Sequence, residues 1–278
     1  MMRIGFYQFA PVLGDVPANR RQIRAALQAC DADLVVLPEL ATSGYLFLTA
    51  DEVEAVAEPV PGPTTDLLHQ LAAERGIHIV IGLPERATDG IYNSAVLVGP
   101  EGVMGVYRKA HLFSDEKDWF RPGDVGFPIF EVRGAKVGLL VCFDHLFPEA
   151  ARTLALAGAE IICHPSNLVL PELGQLTTRV RAIENRVFWI LANRIGVEER
   201  ALTSTSDRPS EGSRPLTRKL TYTGCSQIIA PDGKILHRAP AQEETLAVVT
   251  IDPAQATDKF VTPRNHVLAD RRPDLYRL

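Results

Sequence analysis

The sequence predicts an α/β protein built on mixed sheets, and three observations carry that prediction. Short apolar β-type runs alternate with amphipathic helical stretches along the chain. Runs such as Leu34–Leu37 are apolar at every position, as strands are when both faces of a sheet are covered. Three successive runs between residues 77 and 108 are joined by turns too tight for a parallel crossover, so their sheet is mixed.

Taken in order, Arg3–Phe9 reads as a strand and Asn19–Cys30 as a helix with Ile23, Ala26, Leu27 and Cys30 on one face. Leu34–Leu37 is the next strand, and Thr64–Arg75 is a helix ended by Gly76. Ile77–Leu83, Tyr92–Val98 and Val103–Arg108 are strands, with Gly90, Gly99-Pro100 and Glu101-Gly102 supplying turns. Lys136–Val141 is a strand, and Phe147–Ala157 is a helix with Pro148 suited to its first position. Glu160–Cys163 is a buried strand, and Leu173, Leu176, Val180 and Ile183 mark the apolar stripe of a helix. Val187–Ala192 and Cys225–Ala230 are strands. Pro231-Asp232-Gly233 turns the second of these into Lys234–Leu236, and Thr245–Ile251 closes the series. Thr203–Arg218, rich in Ser, Thr, Pro and charge, reads as an exposed loop. Asp252–Leu278 is polar with scattered apolar residues, and it either stays mobile or packs on a partner. No repeat and no linker divides the chain, so one domain over residues 1–278 is expected.

Composition excludes several classes of function. A chain of 278 residues buries enough surface to need no metal or disulfide for its core. Its 29 Lys and Arg against 34 Asp and Glu leave a net charge of −5, and no basic run offers a nucleic-acid footprint. No window approaches about 18 uninterrupted apolar residues, so no membrane span is expected. Met1–Pro11 has no apolar signal core, and a cytoplasmic location is the expectation. Cys30, Cys142, Cys163 and Cys225 are widely spaced with no Cys-x-x-Cys pair, which makes four reduced thiols the baseline.

Three places put chemically able residues directly at the end of an apolar strand, where the strand fixes a side chain and the following loop exposes it. Glu39 follows Leu34-Val35-Val36-Leu37-Pro38. Desolvation there would raise its pKa toward a general base, and a salt-bridged or capping glutamate is the other reading. Lys109 ends Val106-Tyr107-Arg108, where it either stabilises a developing oxyanion or snorkels to solvent. His111, two residues on, is a base, a ligand or a loop cap. Cys142 ends Gly138-Leu139-Leu140-Val141 before a turn and a helix starting near Pro148. That layout suits a nucleophile elbow, and an inert core thiol is the alternative. A metal site from His111, Cys163 and His164 fits no ligand spacing. Base, cation and thiol together are the parts of acyl transfer through a thioester.

With these residues in view, the chain resembles the nitrilase superfamily of carbon–nitrogen hydrolases over essentially its whole length. Leu37-Pro38-Glu39 with Ser43-Gly44-Tyr45 is similar to the family's first catalytic segment, Tyr107–Phe113 to its lysine segment, and Val141-Cys142-Phe143-Asp144 with Phe147-Pro148-Glu149 to its cysteine segment. Arg181–Arg186, Ala192-Asn193-Arg194 and Pro231–Leu236 add to the match. The resemblance implies a four-layer α-β-β-α sandwich that dimerises through its helical layers, with the C-terminal tail reaching across to the partner. It implies Cys142 as nucleophile, Glu39 as general base, and Lys109 with the Phe143 backbone N–H as oxyanion donors. Glu116 is the best match for a second glutamate that positions substrate and handles protons, with Asp115 as the alternative register. No metal or organic cofactor is implied. Cys142-Phe143-Asp144 looks more like the amidase and carbamoylase branches than the Cys-Trp-Glu of nitrile-cleaving members, and the Cys-x-x-Arg-Arg of many carbamoylases is missing. The expected substrate is therefore a small carboxamide, with an aliphatic nitrile or an N-carbamoyl compound as alternatives. Tyr45, Phe113, Trp119, His145, Ser166, Asn167 and Leu168 are the expected pocket walls, and Cys225 is expected in the core.

Overall fold

A computed structural model describes residues 1–202 and 216–276. The first half contains β1 (Met2–Gln8), α1 (Val16–Gln28), β2 (Leu34–Val36), α2 (Ala50–Val56), α3 (Pro63–Arg75), β3 (His78–Ala87), β4 (Gly90–Gly99) and β5 (Gly102–Arg108). After a single helical turn, α4 (Glu116–Trp119), come β6 (Ile129–Val132), β7 (Ala135–Leu139), α5 (Pro148–Leu156), β8 (Ile161–Ser166), α6 (Leu173–Asn185) and β9 (Phe188–Asn193). A hairpin of β10 (Val197–Ala201) and β11 (Thr217–Thr221) precedes β12 (Gln227–Ile229), β13 (Ile235–Arg238) and β14 (Thr245–Ile251).

The strands form two six-stranded sheets, ordered β14-β1-β2-β3-β4-β5 and β13-β12-β9-β8-β7-β6. Both are mixed: β1, β2 and β3 run parallel, as do β7, β8 and β9, while tight turns set β4 antiparallel to β3 and β6 antiparallel to β7, and β14 and β12 pair antiparallel with β1 and β9. The period of two in a strand then sorts the side chains. Ile4, Phe6, Leu34, Val36, Val80, Ala95 and Leu97 point at the second sheet and share one core with Leu139, Ile161 and Ile190. Val35, Leu37, Ile79, Ile81, Val96 and Val98 point the other way, onto Ile23 and Leu27 of α1 and Leu68 and Leu71 of α3. With α5 and α6 packed on the second sheet, the layers read α-β-β-α, as expected. The all-apolar strands are apolar because each is sandwiched twice.

Several element expectations need correction. The first helix starts at Val16, earlier than Asn19, because the Asp15 carboxylate caps it by accepting from the Ala18 N–H at 2.9 Å. In α6 the stripe is inverted: Leu176, Val180 and Ile183 are exposed, while Gln175, Thr178, Arg181 and Asn185 face inward. Polar groups can face the sheet there because they are hydrogen-bonded, for example Gln227 Nε2 to the Gln175 carbonyl at 2.9 Å. Cys225 is half-buried with φ of 53°, outside the core clusters. Of the expected loop 203–218, residues 203–215 lie outside the described residues, and Thr217-Arg218 belong to β11, paired with β10.

Candidate active site

Glu39 lies just past β2. The Leu37 N–H donates to the Val80 carbonyl at 2.8 Å; Pro38 has no N–H to give, and the regular ladder gives way there to bonds from the Gly82 N–H to the Pro38 carbonyl at 3.1 Å and from the Ala41 N–H to the Gly82 carbonyl at 2.8 Å. Beside it β3 carries Gly82, where a Cβ would stand 2.4 Å from Glu39 Cα, so only glycine lets the two segments approach. Lys109 lies just past β5, its N–H held by the Asn93 carbonyl of β4 at 2.8 Å. Two strands of the same sheet, β2 and β5, with β3 and β4 between them, thus deliver the two side chains to one spot. Lys109 Nζ donates to Glu39 Oε1 at 2.7 Å and to Glu116 Oε1 at 2.8 Å, and none of the three is more than 3% exposed. Lys109 does not snorkel. Burial alone would lower its pKa, but the carboxylates of Glu116 and Glu39 more than reverse this and keep it charged.

The two carboxylates differ in how they are held. Glu116 Oε1 accepts from the Tyr45 hydroxyl at 2.7 Å, and its Oε2 accepts from the Phe113 N–H at 3.2 Å. Burial, opposed by Lys109 and reinforced by Glu39, raises the Glu116 pKa. Glu39 Oε1 takes a second donor, Asn93 Nδ2, at 2.7 Å, whereas Oε2 meets no partner among the described residues. Glu116 faces Lys109, whereas Asp115 pairs with Arg218 at the rim.

Cys142 is brought to this group by the second sheet. Strand β7 ends at Leu139, and Cys142 opens a 3-10 turn over Cys142–Leu146 with φ of 43°, a left-handed conformation that costs a non-glycine residue about 1–3 kcal/mol. The turn is over-determined. Asp144 Oδ2 accepts from the Val141 N–H at 2.9 Å and the Tyr107 hydroxyl at 2.8 Å, and Oδ1 accepts from the His111 N–H at 3.2 Å and contacts its Nδ1 at 2.7 Å. Asp144 therefore clasps the lysine segment to the cysteine segment, and His111 serves that clasp. His164 Nε2 donates to the Cys142 carbonyl at 2.8 Å. Its imidazole is buried and pushed well below the ordinary pKa, so it stays neutral. Burial first, then the Glu39 charge, raises the Cys142 thiol well above its ordinary pKa, against the opposing pull of Lys109 and of the Asn167 N–H.

Two small cavities meet here. One, about 30 Å³, is lined by Cys142, Phe113, Phe143, His145, Asn167 and Leu168. The other, about 60 Å³, is lined by Glu116, Tyr45, Phe113, Trp119 and Arg218. On a scale where one water needs roughly 10–15 Å³, these volumes hold a few heavy atoms. Six of the seven expected wall residues thus border a cavity. Ser166 does not: β8 runs longer than expected, and the Ser166 hydroxyl is buried within the strand near His164, 3.3 Å from its Nε2. Sequence reading missed Asn93, Asp144 and Glu198. The signal for Asn93 was the polar pair Asn93-Ser94 inside an otherwise apolar strand. Glu198 accepts from the Leu46 N–H at 2.8 Å and Arg194 Nη1 at 2.7 Å, which fixes the Tyr45 loop, and it had no local sequence signal.

Known proteins share both the sequence pattern and the fold of this chain. The carbon-nitrogen hydrolase family model matches residues 3–259. A protein from Pyrococcus abyssi named nitrilase is 39% identical over 99% of both chains. The N-carbamoylputrescine amidase of Solanum lycopersicum is 34% identical over all of this chain and 94% of its own length. Among solved structures, a cysteine-to-alanine variant of the amidase from Nesterenkonia sp. AN1, in complex with butyramide, superposes with a TM-score of 0.74 at 28% identity, covering 99% of this chain and 95% of that one. The chain belongs to the carbon-nitrogen hydrolase family and is a carbon–nitrogen hydrolase of the nitrilase superfamily.

Proposed function

We propose that the chain is a cofactor-independent amidohydrolase that cleaves the C–N bond of a small carboxamide through a Cys142 thioester and releases ammonia. The observation that carries this reading is that Glu39 Oε2 has no partner among the described residues. It belongs to a buried carboxylate whose other oxygen is saturated by Lys109 and Asn93, and its charge is felt by the Cys142 thiol. The thiol rests protonated, so its proton passes to Glu39 Oε2 as Sγ bonds to the amide carbon. The carbonyl oxygen takes up the displaced electron pair, and the Lys109 ammonium with the Phe143 N–H holds the resulting oxyanion. Glu39 returns the proton to nitrogen, the C–N bond breaks, and ammonia leaves the thioester behind. Water then attacks the thioester carbon, Glu39 takes its proton and gives it to the departing sulfur, and the carboxylic acid is released. Glu116 orients Lys109 and the amide nitrogen, and its raised pKa suits a group that handles a proton. Tyr45, Phe113, Trp119, His145 and Leu168 form the walls around the acyl group.

A short acyl chain suits the two cavities, and the butyramide held by the Nesterenkonia amidase is of that size. The same reading makes the chain a single domain that works as a homodimer, and its four unpaired cysteines suit a reducing cytoplasm. Ammonia release from a panel of aliphatic amides tests the chemistry: it disappears in Cys142→Ala, and full activity in that variant would refute the assignment. Product analysis on matched nitrile, amide and ureido substrates separates the three bond types.

A further inference from the structure

Among the described residues, Asn167 is the one buried asparagine whose amide is bonded at neither end. The side chain lines the cavity beside Cys142, the residue is 3% exposed, and neither Oδ1 nor Nδ2 meets a partner among the described residues. Its neighbour Asn193 is fully committed, accepting from the Leu168 N–H at 2.9 Å and donating to the Gly224 carbonyl at 2.6 Å. A buried amide with no bonds has given up its water and received nothing back, which native folds rarely tolerate without a further partner.

The rest of the cavity narrows what that partner is. Phe113, Phe143, Leu168, Val169, Leu170 and Leu173 make it largely apolar, and none of its lining residues is Asp, Glu, Lys or Arg. His145 adds no charge near neutral pH, because burial and the Arg181 guanidinium pull its pKa down to about 4. The Asn167 backbone N–H lies close enough to the Cys142 sulfur to oppose the rise of its pKa, and both residues line the same cavity. We propose that Asn167 is a specificity-determining residue that reads a neutral hydrogen-bonding substituent, such as a hydroxyl, on the acyl chain close to the carbonyl. The substrate class is then a short, uncharged, hydroxylated primary amide, favoured over its hydrocarbon isostere and over an acyl chain ending in carboxylate. This inference rests on the amidohydrolase reading of Cys142.

Two isosteric pairs test it: 2-hydroxypropanamide against 2-methylpropanamide, and 3-hydroxypropanamide against butanamide. In the wild type, the hydroxylated member of at least one pair is expected to have the higher kcat/KM by about tenfold or more, since its isostere leaves the Asn167 amide unpaired. Asn167→Leu is expected to abolish or reverse that preference while still turning over the hydrocarbon member. Asn167→Ala carries the same expectation should the leucine variant fold poorly. Calorimetric binding of both pairs to Cys142→Ala gives a readout independent of turnover, with the same order of affinity expected. Equal kcat/KM within both pairs, or a preference that survives both Asn167 variants, overturns the proposal. Loss of all amide turnover in the wild type, with the binding preference intact in Cys142→Ala, would count against the catalytic reading and leave Asn167 supported.

Discussion

Burial acts on each ionisable side chain of the site differently, depending on what else it touches. Lys109 keeps its charge because two carboxylates surround it, whereas His145, with Arg181 nearby, loses its own. The His145 pKa falls from 6.5 to about 4, chiefly through burial and then through the Arg181 guanidinium. The consequence for stability has a definite sign. Above pH 6.5 the imidazole is neutral in folded and unfolded chains and contributes no pH dependence. Below that the unfolded chain takes up a proton that the folded chain refuses until about pH 4, so stability falls as pH falls through this window. At roughly 1.4 kcal/mol per pKa unit, the wild type is expected to lose about 2 kcal/mol more than His145→Gln between pH 7 and pH 4.5. Urea unfolding of both proteins at the two pH values measures this, and equal losses would mean that His145 titrates normally in the fold.

Among the elements, β3 has the most demanding task, because it must pass within van der Waals contact of the segment that carries Glu39. Gly82 permits this, since a Cβ there would stand 2.4 Å from Glu39 Cα and 2.7 Å from the Pro38 carbonyl oxygen. Gly82→Ala is expected to push Glu39 off line and to cut kcat by about 10²-fold, the scale of a 1 Å misplacement. Circular dichroism would check that the variant folds, and wild-type kcat in a folded variant would show that the contact relaxes harmlessly. Gly82 also marks where sequence reading stopped. The strands, their mixed pairing and the strand-end placement of Glu39, Lys109 and Cys142 were legible, because period-two patterning and tight turns are local signals. The Asp144 clasp, the Asn93 bond to Glu39 and the Glu198 support of Tyr45 were not, because each joins residues from separate elements. The α6 stripe misled for a related reason. Periodicity identifies an apolar face but does not say what covers it, and here the sheet side carries polar groups such as the Gln175 carbonyl and Thr178 hydroxyl, both bonded to Gln227.

At the scale of the molecule, that inverted helix poses the question of what covers Leu176, Val180 and Ile183, with Leu156 of α5 also exposed. The proposed homodimer answers it by setting the α5–α6 layer of one copy against that of a second. The C-terminal segment follows the same layer. Lys259 Nζ caps α6 by donating to the carbonyls of Asn185 at 3.1 Å and Arg186 at 2.9 Å, and Arg152 of α5 donates to the Val267 carbonyl at 3.4 Å. Up to that point the segment is bound to its own subunit, whereas Leu275 and Tyr276 beyond it are exposed, at 64% and 53%. Deleting residues 271–278 therefore spares the Lys259 and Val267 contacts while removing the exposed Leu275 and Tyr276. The expected result is a dimer weakened by about tenfold or more, the effect of losing one or two buried large side chains at roughly 1.5–3 kcal/mol each. Val180→Glu on α6 is expected to weaken it further by placing a charge in the apolar contact. Sedimentation velocity across a dilution series measures both, with thermal unfolding to confirm that each chain remains folded. A truncated chain that stays dimeric at the lowest concentration would separate the tail from the interface, and a Val180→Glu chain that does the same would move the interface off α6.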